Sequence, residues 1–279
     1  MSFTIITDST VDISPSRARE LDVTIVPLTV SFDGKEYRDG LDLSPERFFA
    51  KLAEAKKLPT TSQVTVGAFV DAFEGVPAEQ DIICICLSQK LSGTYQSATI
   101  AKEQLGRDNI YLVDTGSGSF GSQVLLRVAL EQRQKGADAE ETARLLQEVA
   151  PRLRLFAVVD TLKYLHKGGR LPHAVAVVGG LLQVKPVLEV RHGEISMSGK
   201  ARGSGAALDI VCKLVNEQSV DNSYPVVIGS AQCPQRLKEF SDALGKHCQI
   251  QDPAFCDIGV VIGTHTGPGC VGVAFIAKS

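Results

Sequence analysis

The chain has 279 residues, 44% hydrophobic and 22% charged, with 29 Lys+Arg against 32 Asp+Glu for a net charge of −3. That balance is globular, so a disordered or fibrous chain is excluded, and there is too little positive charge to grip a nucleic-acid backbone. The length suits two domains or one large one.

Apolar segments alternate between period 2 and period 3.6 along the first half. The opening MSFTIITDST lacks the basic region and cleavage site of a signal peptide and reads as a strand, Phe3–Thr7. Further strands are predicted at Val23–Phe32, Asp81–Leu87 and Asn109–Asp114. Helices are predicted at Pro15–Leu21, Pro45–Ala55, Gly67–Phe73, Thr94–Leu105, Ser122–Gln134 and Ala139–Val149. Ile82–Leu87 is apolar at nearly every position, as when both faces of a strand are covered, so a parallel or mixed sheet between helices is expected.

After Pro151 a strand, Leu155–Asp160, opens what reads as a second domain, giving domains at 1–153 and 154–279. It is followed by a hairpin over Lys185–Ser198 turning at His192-Gly193, helices at Ala206–Glu217 and Pro234–Leu244, and a strand between them at Val226–Gly229. The longest nearly unbroken apolar run, Ala174–Val184, is short of the roughly 20 residues of a membrane span. The seven cysteines match neither a disulfide framework nor a paired C-x-x-C zinc site. Cys84 and Cys86 would share one face of their strand and pack there. A soluble, cytoplasmic protein is expected.

Gly116-Ser-Gly-Ser-Phe-Gly121 is a literal G-x-G-x-x-G between a strand and a helix, the place of a dinucleotide fingerprint. The acidic residue at the end of a following strand is missing, because the window 136–141 leads into another helix. A turn opening a helix is the alternative reading. Short hydroxyl-rich segments recur at predicted strand ends: Thr7-Asp-Ser-Thr10, Thr60-Thr-Ser62, Ser88 with Ser92-Gly-Thr94, and Ser117 with Ser119. There they face the ligand edge of an open sheet and suit an anionic head group, or they serve as helix N-caps. His265, in a glycine-rich turn, could complete a hydrolase triad with Ser92 and Asp8. In Leu165-His-Lys-Gly-Gly-Arg170, two glycines allow close backbone approach, and Lys167, Arg170 and the later Arg202 could meet an anion.

Taken in order, several segments resemble the DegV family of bacterial fatty-acid-binding proteins. They are Ile5-Ile-Thr-Asp-Ser-Thr10, Val26-Pro-Leu28, Tyr37-Arg-Asp39, Thr61-Ser-Gln63, Leu91-Ser-Gly-Thr-Tyr-Gln-Ser-Ala98 and Val113-Asp114, then Leu162-Lys-Tyr-Leu-His-Lys-Gly-Gly-Arg170, Lys185-Pro186 and His265-Thr-Gly-Pro-Gly269. The resemblance implies a two-domain α/β fold. A helix-flanked, largely parallel sheet forms the N-terminal domain, a second smaller α/β domain follows, and one long-chain fatty acid lies between them. It implies that Thr61, Ser62 and Ser92 hold the carboxylate with His265 near it, and that Arg170 and Arg202 meet an acyl-phosphate or the partner. It further implies a non-catalytic subunit with no cofactor of its own, which presents the lipid to a separate ATP-dependent kinase. The rival expectations are an enzyme: a Ser92/His265 hydrolase, or a nucleotide-dependent enzyme using Gly116–Gly121. Two positions depart from the family pattern. Val64-Thr65 stands where a proline is usual, and Gln123 where a second glycine is common.

Overall fold

The structure, a computed structural model, describes residues 3–171 and 184–278. Apart from Val184, the apolar run at 174–184 lies outside the described residues. β1 (Thr4–Asp8) leads through a 3-10 turn (Ser9–Val11) and α1 (Pro15–Glu20) to β2 (Val23–Val26), β3 (Thr29–Phe32), β4 (Lys35–Arg38), α2 (Pro45–Glu54), β5 (Thr60–Ser62) and α3 (Val66–Glu74). Next come β6 (Ile82–Cys86), α4 (Thr94–Leu105), β7 (Ile110–Asp114), α5 (Phe120–Gln134) and α6 (Ala139–Val149). The remainder runs β8 (Leu153–Val158), α7 (Lys163–Lys167), β9 (Val184–Arg191), β10 (Glu194–Arg202), α8 (Ser204–Gln218), β11 (Val227–Ser230), α9 (Pro234–His247), β12 (Ala254–Asp257), α10 (Val260–Thr266) and β13 (Val271–Ile276).

Every residue of β6 is buried, and β6 lies inside a parallel sheet of order β2-β1-β6-β7, as its unbroken apolar pattern requires. Strand order reverses between β1 and β6, so the loops leaving these two strands meet at a topological switch point, where open α/β sheets place their ligands. Asp8 fastens the meeting: its Oδ2 accepts the Leu87 N–H at 2.7 Å.

A second, mixed sheet has the order β10-β9-β8-β13-β11-β12. Its β8 buries both faces in different cores. Leu155, Ala157 and Val159 join the core shared with the first half of the chain, while Phe156 and Val158 join a separate cluster with α8 and α9. The sheet is tied to the first half by Phe120, whose ring lies where a Cβ at Gly229 or Gly272 would come within 2.2 or 2.7 Å.

The expected single strand Val23–Phe32 is two strands in two sheets. Pro27 offers no backbone N–H to a ladder; beyond it the chain leaves the parallel sheet and forms β3, the middle strand of an antiparallel sheet β4-β3-β5. The hydroxyl-rich Thr60–Ser62 is thus an edge strand. Among the described residues, four α-helices take side-chain N-caps, from Ser14, Ser44, Thr65 and Asp138. Gly93 and Ser119, at the N-cap positions of α4 and α5, make no such bond. Among the described residues, no helix is long and apolar enough to cross a membrane.

Candidate functional site

An apolar cavity of about 110 Å³ lies between the two larger sheets. Its walls include Leu155, Ala157 and Val159 along β8 and its end, Leu188 and Val190 of β9, and Phe120 at the start of α5. The spacing of two along β8 and β9 is the pleat of a strand showing one face to the cavity. That alternation, together with burial of both faces, is the sequence signal by which the apolar wall could have been found.

One end of the cavity is polar. Thr61, Ser62, Ser92, Arg170 and His265 all border it, although they come from β5, the β6–α4 loop, the segment after α7, and α10. Thr61 sits opposite Val30 in the ladder, and its side chain turns inward while those of Thr60 and Ser62 are exposed. Its Oγ1 lies 2.9 Å from His265 Nε2. His265 occupies the last turn of α10 rather than a loop, so the expectation of a glycine-rich turn is corrected: the glycines follow the helix. Burial, with the Arg170 guanidinium as the second cause, holds this imidazole down to about 4, so it is neutral at pH 7. Its Nδ1 is buried without a hydrogen-bond partner among the described residues.

Gly168 makes that packing possible, because a Cβ there would meet His265 Nδ1 at 2.2 Å. Arg170 curls back over the same turn, donating from Nε to Leu91 O at 3.1 Å and from Nη1 to Gly168 O at 2.6 Å. The T-S-Q and L-S-G-T segments interlock. Gln63 Nε2 donates to Ser97 Oγ at 2.9 Å and lies over Gly93. Ser92 Oγ lies 2.9 Å from Thr94 Oγ1 and accepts the Thr94 N–H at 3.3 Å. Arg202 does not join them. It ends β10 opposite Val184, is exposed, and does not border the cavity.

Both departures from the family pattern have structural uses. Val64 donates its N–H to Thr94 Oγ1 at 3.3 Å, which a proline would forgo, and Thr65 caps α3. Gln123 is buried on α5 and donates to Val11 O at 3.3 Å.

The glycine-rich Gly116–Gly121 loop is filled from within. Ser117 Oγ occupies the space a Cβ at Gly121 would take, Thr115 Oγ1 lies 3.0 Å from Ser122 Oγ, and Gly116 O accepts the N–H of Gly193 from the hairpin tip at 2.7 Å. Ser92, His265 and Asp8 form no relay: His265 Nε2 faces Thr61, and the Asp8 carboxylate is taken by Thr10 and Leu87. Cys84 and Cys86 lie with their sulfurs 3.7 Å apart, both buried. Among the described residues, no group of three or more His, Cys, Asp or Glu is placed to hold a metal ion.

The two larger sheets thus enclose an apolar cavity with hydroxyls, a neutral imidazole and a guanidinium at one end, the form of a pocket with an apolar body and a few convergent polar groups. The comparisons agree in fold. A model of the DegV family matches residues 2–278, and the chain belongs to that family. A DegV domain-containing protein of Caldanaerobacter subterraneus is 35% identical over 276 residues, 98% of each chain. A fatty-acid-binding DegV family protein from Thermus thermophilus superposes with a TM-score of 0.89 at 29% identity, covering 100% of both chains. A stearic-acid-binding protein from Eubacterium ventriosum does so at 0.89 and 28%, covering 99% of this chain and 98% of its own.

Proposed function

We propose that this protein binds one long-chain fatty acid, its tail in the apolar cavity and its carboxylate at Thr61, Ser62, Ser92 and His265. The observation that carries this reading is the polarity of the cavity, apolar between the sheets and closed at one end by the Thr61–His265 pair and Ser92. The fatty acids bound by the Thermus thermophilus and Eubacterium ventriosum proteins support it. Burying a sixteen-carbon chain at about 0.8 kcal/mol per CH₂ is worth on the order of 10 kcal/mol before ordering costs. The tail therefore supplies affinity and a few neutral groups suffice to orient the head.

The finer part of the proposal is that the protein does no chemistry itself and presents the lipid to a separate ATP-dependent kinase, which phosphorylates the carboxylate to an acyl-phosphate. A carboxylate held by hydroxyls and a neutral imidazole keeps an oxygen available to a phosphoryl donor. Arg170, with no protein hydrogen bond at Nη2 among the described residues, is placed to meet the added charge. Arg202 is proposed as a contact for the partner, in keeping with its exposure away from the cavity.

The test is native mass spectrometry of the purified protein followed by denaturing extraction and lipid analysis. A near-stoichiometric fatty acid released only on unfolding is the expected result. An empty protein that takes up neither added palmitate nor oleate would overturn the reading.

A further inference from the structure

The Thr-Asp-Ser-Thr10 and Tyr-Arg-Asp39 segments have no part in the cavity, yet they build a buried polar chain that ends on the helix carrying His265. We propose that Asp39 is a positioning residue for the head-group end of the cavity: it caps α10 from the other half of the chain and so holds His265 against Thr61.

A helix leaves its first N–H groups without internal partners. In α10 the N-cap position is Gly259, which has no side chain to offer. Adding one would displace the buried Asp12 carboxylate, since a Cβ there would meet Asp12 Oδ1 at 2.5 Å. With glycine at the N-cap the helix's own sequence offers no side-chain acceptor there, and the acceptor comes from elsewhere. Asp39 supplies it across 221 residues: its Oδ1 accepts the Val260 N–H at 3.2 Å.

Asp39 is itself held by two further bonds, through a small network with Ser9 and Leu28. Ser9 Oγ donates to its Oδ2 at 2.8 Å, the same Ser9 Oγ accepts the Leu28 N–H at 3.1 Å, and Asp39 donates its own N–H to Leu28 O at 2.9 Å. Ser9 is placed in turn by Asp8, whose carboxylate accepts from Thr10 N at 2.9 Å and Leu87 N at 2.7 Å. The chain thus starts at the switch point between β1 and β6 and ends on α10.

A helix of seven residues has no stability of its own, so its anchors decide where it lies. His265 is five residues beyond Val260, about 7.5 Å at 1.5 Å per residue. Movement at the capped end is therefore passed directly to the imidazole.

The relevance to lipid rests on the function proposed above, so the test reads two quantities, one independent of lipid. In Asp39→Ala, the His265 ring titration followed by NMR is expected to rise from about 4 by a unit or more, as the ring loses its buried seat. The palmitate dissociation constant is expected to rise about fivefold, the usual scale for loss of a cap. Asp39→Asn keeps an oxygen that accepts from Val260 and is expected to restore both. A wild-type His265 titration in Asp39→Ala, or an Asp39→Asn variant that moves as far as the alanine, overturns the proposal. If Asp39→Ala does not fold, Ser9→Ala is measured instead. It should shift His265 in the same direction by less, and no shift overturns the proposal. A wild-type protein that binds no palmitate would sink the proposed function while leaving the His265 readout to decide this one.

Discussion

Thr61 Oγ1 and His265 Nε2, 204 residues apart in sequence, lie 2.9 Å from each other and join an edge strand of the three-stranded sheet to the last turn of α10. Replacing Thr61 by Val keeps the β-branched shape that suits a strand and removes the hydroxyl. The imidazole then loses its one protein partner among the described residues. One hydrogen bond of this kind is worth about 1 kcal/mol. Palmitate should bind about fivefold more weakly in Thr61→Val, with little change in melting temperature, as measured by displacement of a fluorescent fatty acid.

The glycine pair after α7 gives a steric test. In Gly168→Ala the new methyl would stand 2.2 Å from His265 Nδ1 and 3.1 Å from Tyr164 O. The ring must shift from its place beside Thr61, at a cost of about 1–3 kcal/mol for overpacking. Gly169 has open space around it but a φ of +71°. Gly169→Ala should therefore cost about 1 kcal/mol through its backbone without disturbing His265. Urea unfolding and the His265 NMR signal together separate the two.

Ser92 and Arg170 divide the work in the proposed function. Ser92→Ala should weaken retention of palmitate about two- to fivefold, the loss of one neutral hydrogen bond. Arg170→Ala should spare binding and slow turnover in a coupled assay with the ATP-dependent kinase. Equal loss of lipid in both variants would count against this division. Because Arg170 helps to hold His265 low, its removal should also raise the histidine's titration.

Stability should respond to pH in two opposed ways. His265 is held down to about 4 against 6.5 in the unfolded chain. Between those values the unfolded state binds the proton and the folded state does not, so acidification destabilises the fold, by about 2 kcal/mol at pH 5. Asp39 is pushed by burial up to about 6 from 3.8, and burial also raises Asp8 and Asp12. For these groups the folded state binds the proton first, so acidification stabilises it, for Asp39 as pH falls from about 6. His265→Gln removes the first effect alone. Its stability relative to the parent should improve by about 1–2 kcal/mol between pH 7.5 and pH 5 in urea titrations.

The wall of the cavity offers a test of tail length. Ala157 is 6% exposed and borders the cavity from β8. Ala157→Phe should fill part of that space at a stability cost of about 1–3 kcal/mol. Affinity for sixteen- and eighteen-carbon acids should fall more than affinity for a ten-carbon acid. Uniform loss across chain lengths would show that the tail does not pass Ala157.

Much of this is legible in the sequence. The unbroken apolar run of β6 marked a strand covered on both faces, and the helix starts at Pro15 and Pro45 were readable because proline suits the first turn. The His192-Gly193 turn was readable from its glycine, and the hairpin it closes is the observed β9–β10 pair. The segments bearing Thr61, Ser92, Arg170 and His265 stood out because hydroxyls, glycines and charges interrupt the apolar pattern there. Less legible were β4 and β5, too short for periodicity to register, and α7 and α10, short helices flanked by glycines whose stability comes from packing.

The sequence by itself determined the alternation of strands and helices, a parallel or mixed sheet between helices and the identity of the polar segments, because propensity and periodicity act over a few neighbouring residues. Only the tertiary structure decided that Thr61 meets His265, that Asp39 rather than Gly259 caps α10, that Arg202 stands apart from the cavity, and which face of β8 looks inward. Those outcomes depend on contacts between residues as far as 221 positions apart. They are set by how the two sheets pack and by which side chain fills the space a glycine leaves, and no local pattern in the chain encodes that.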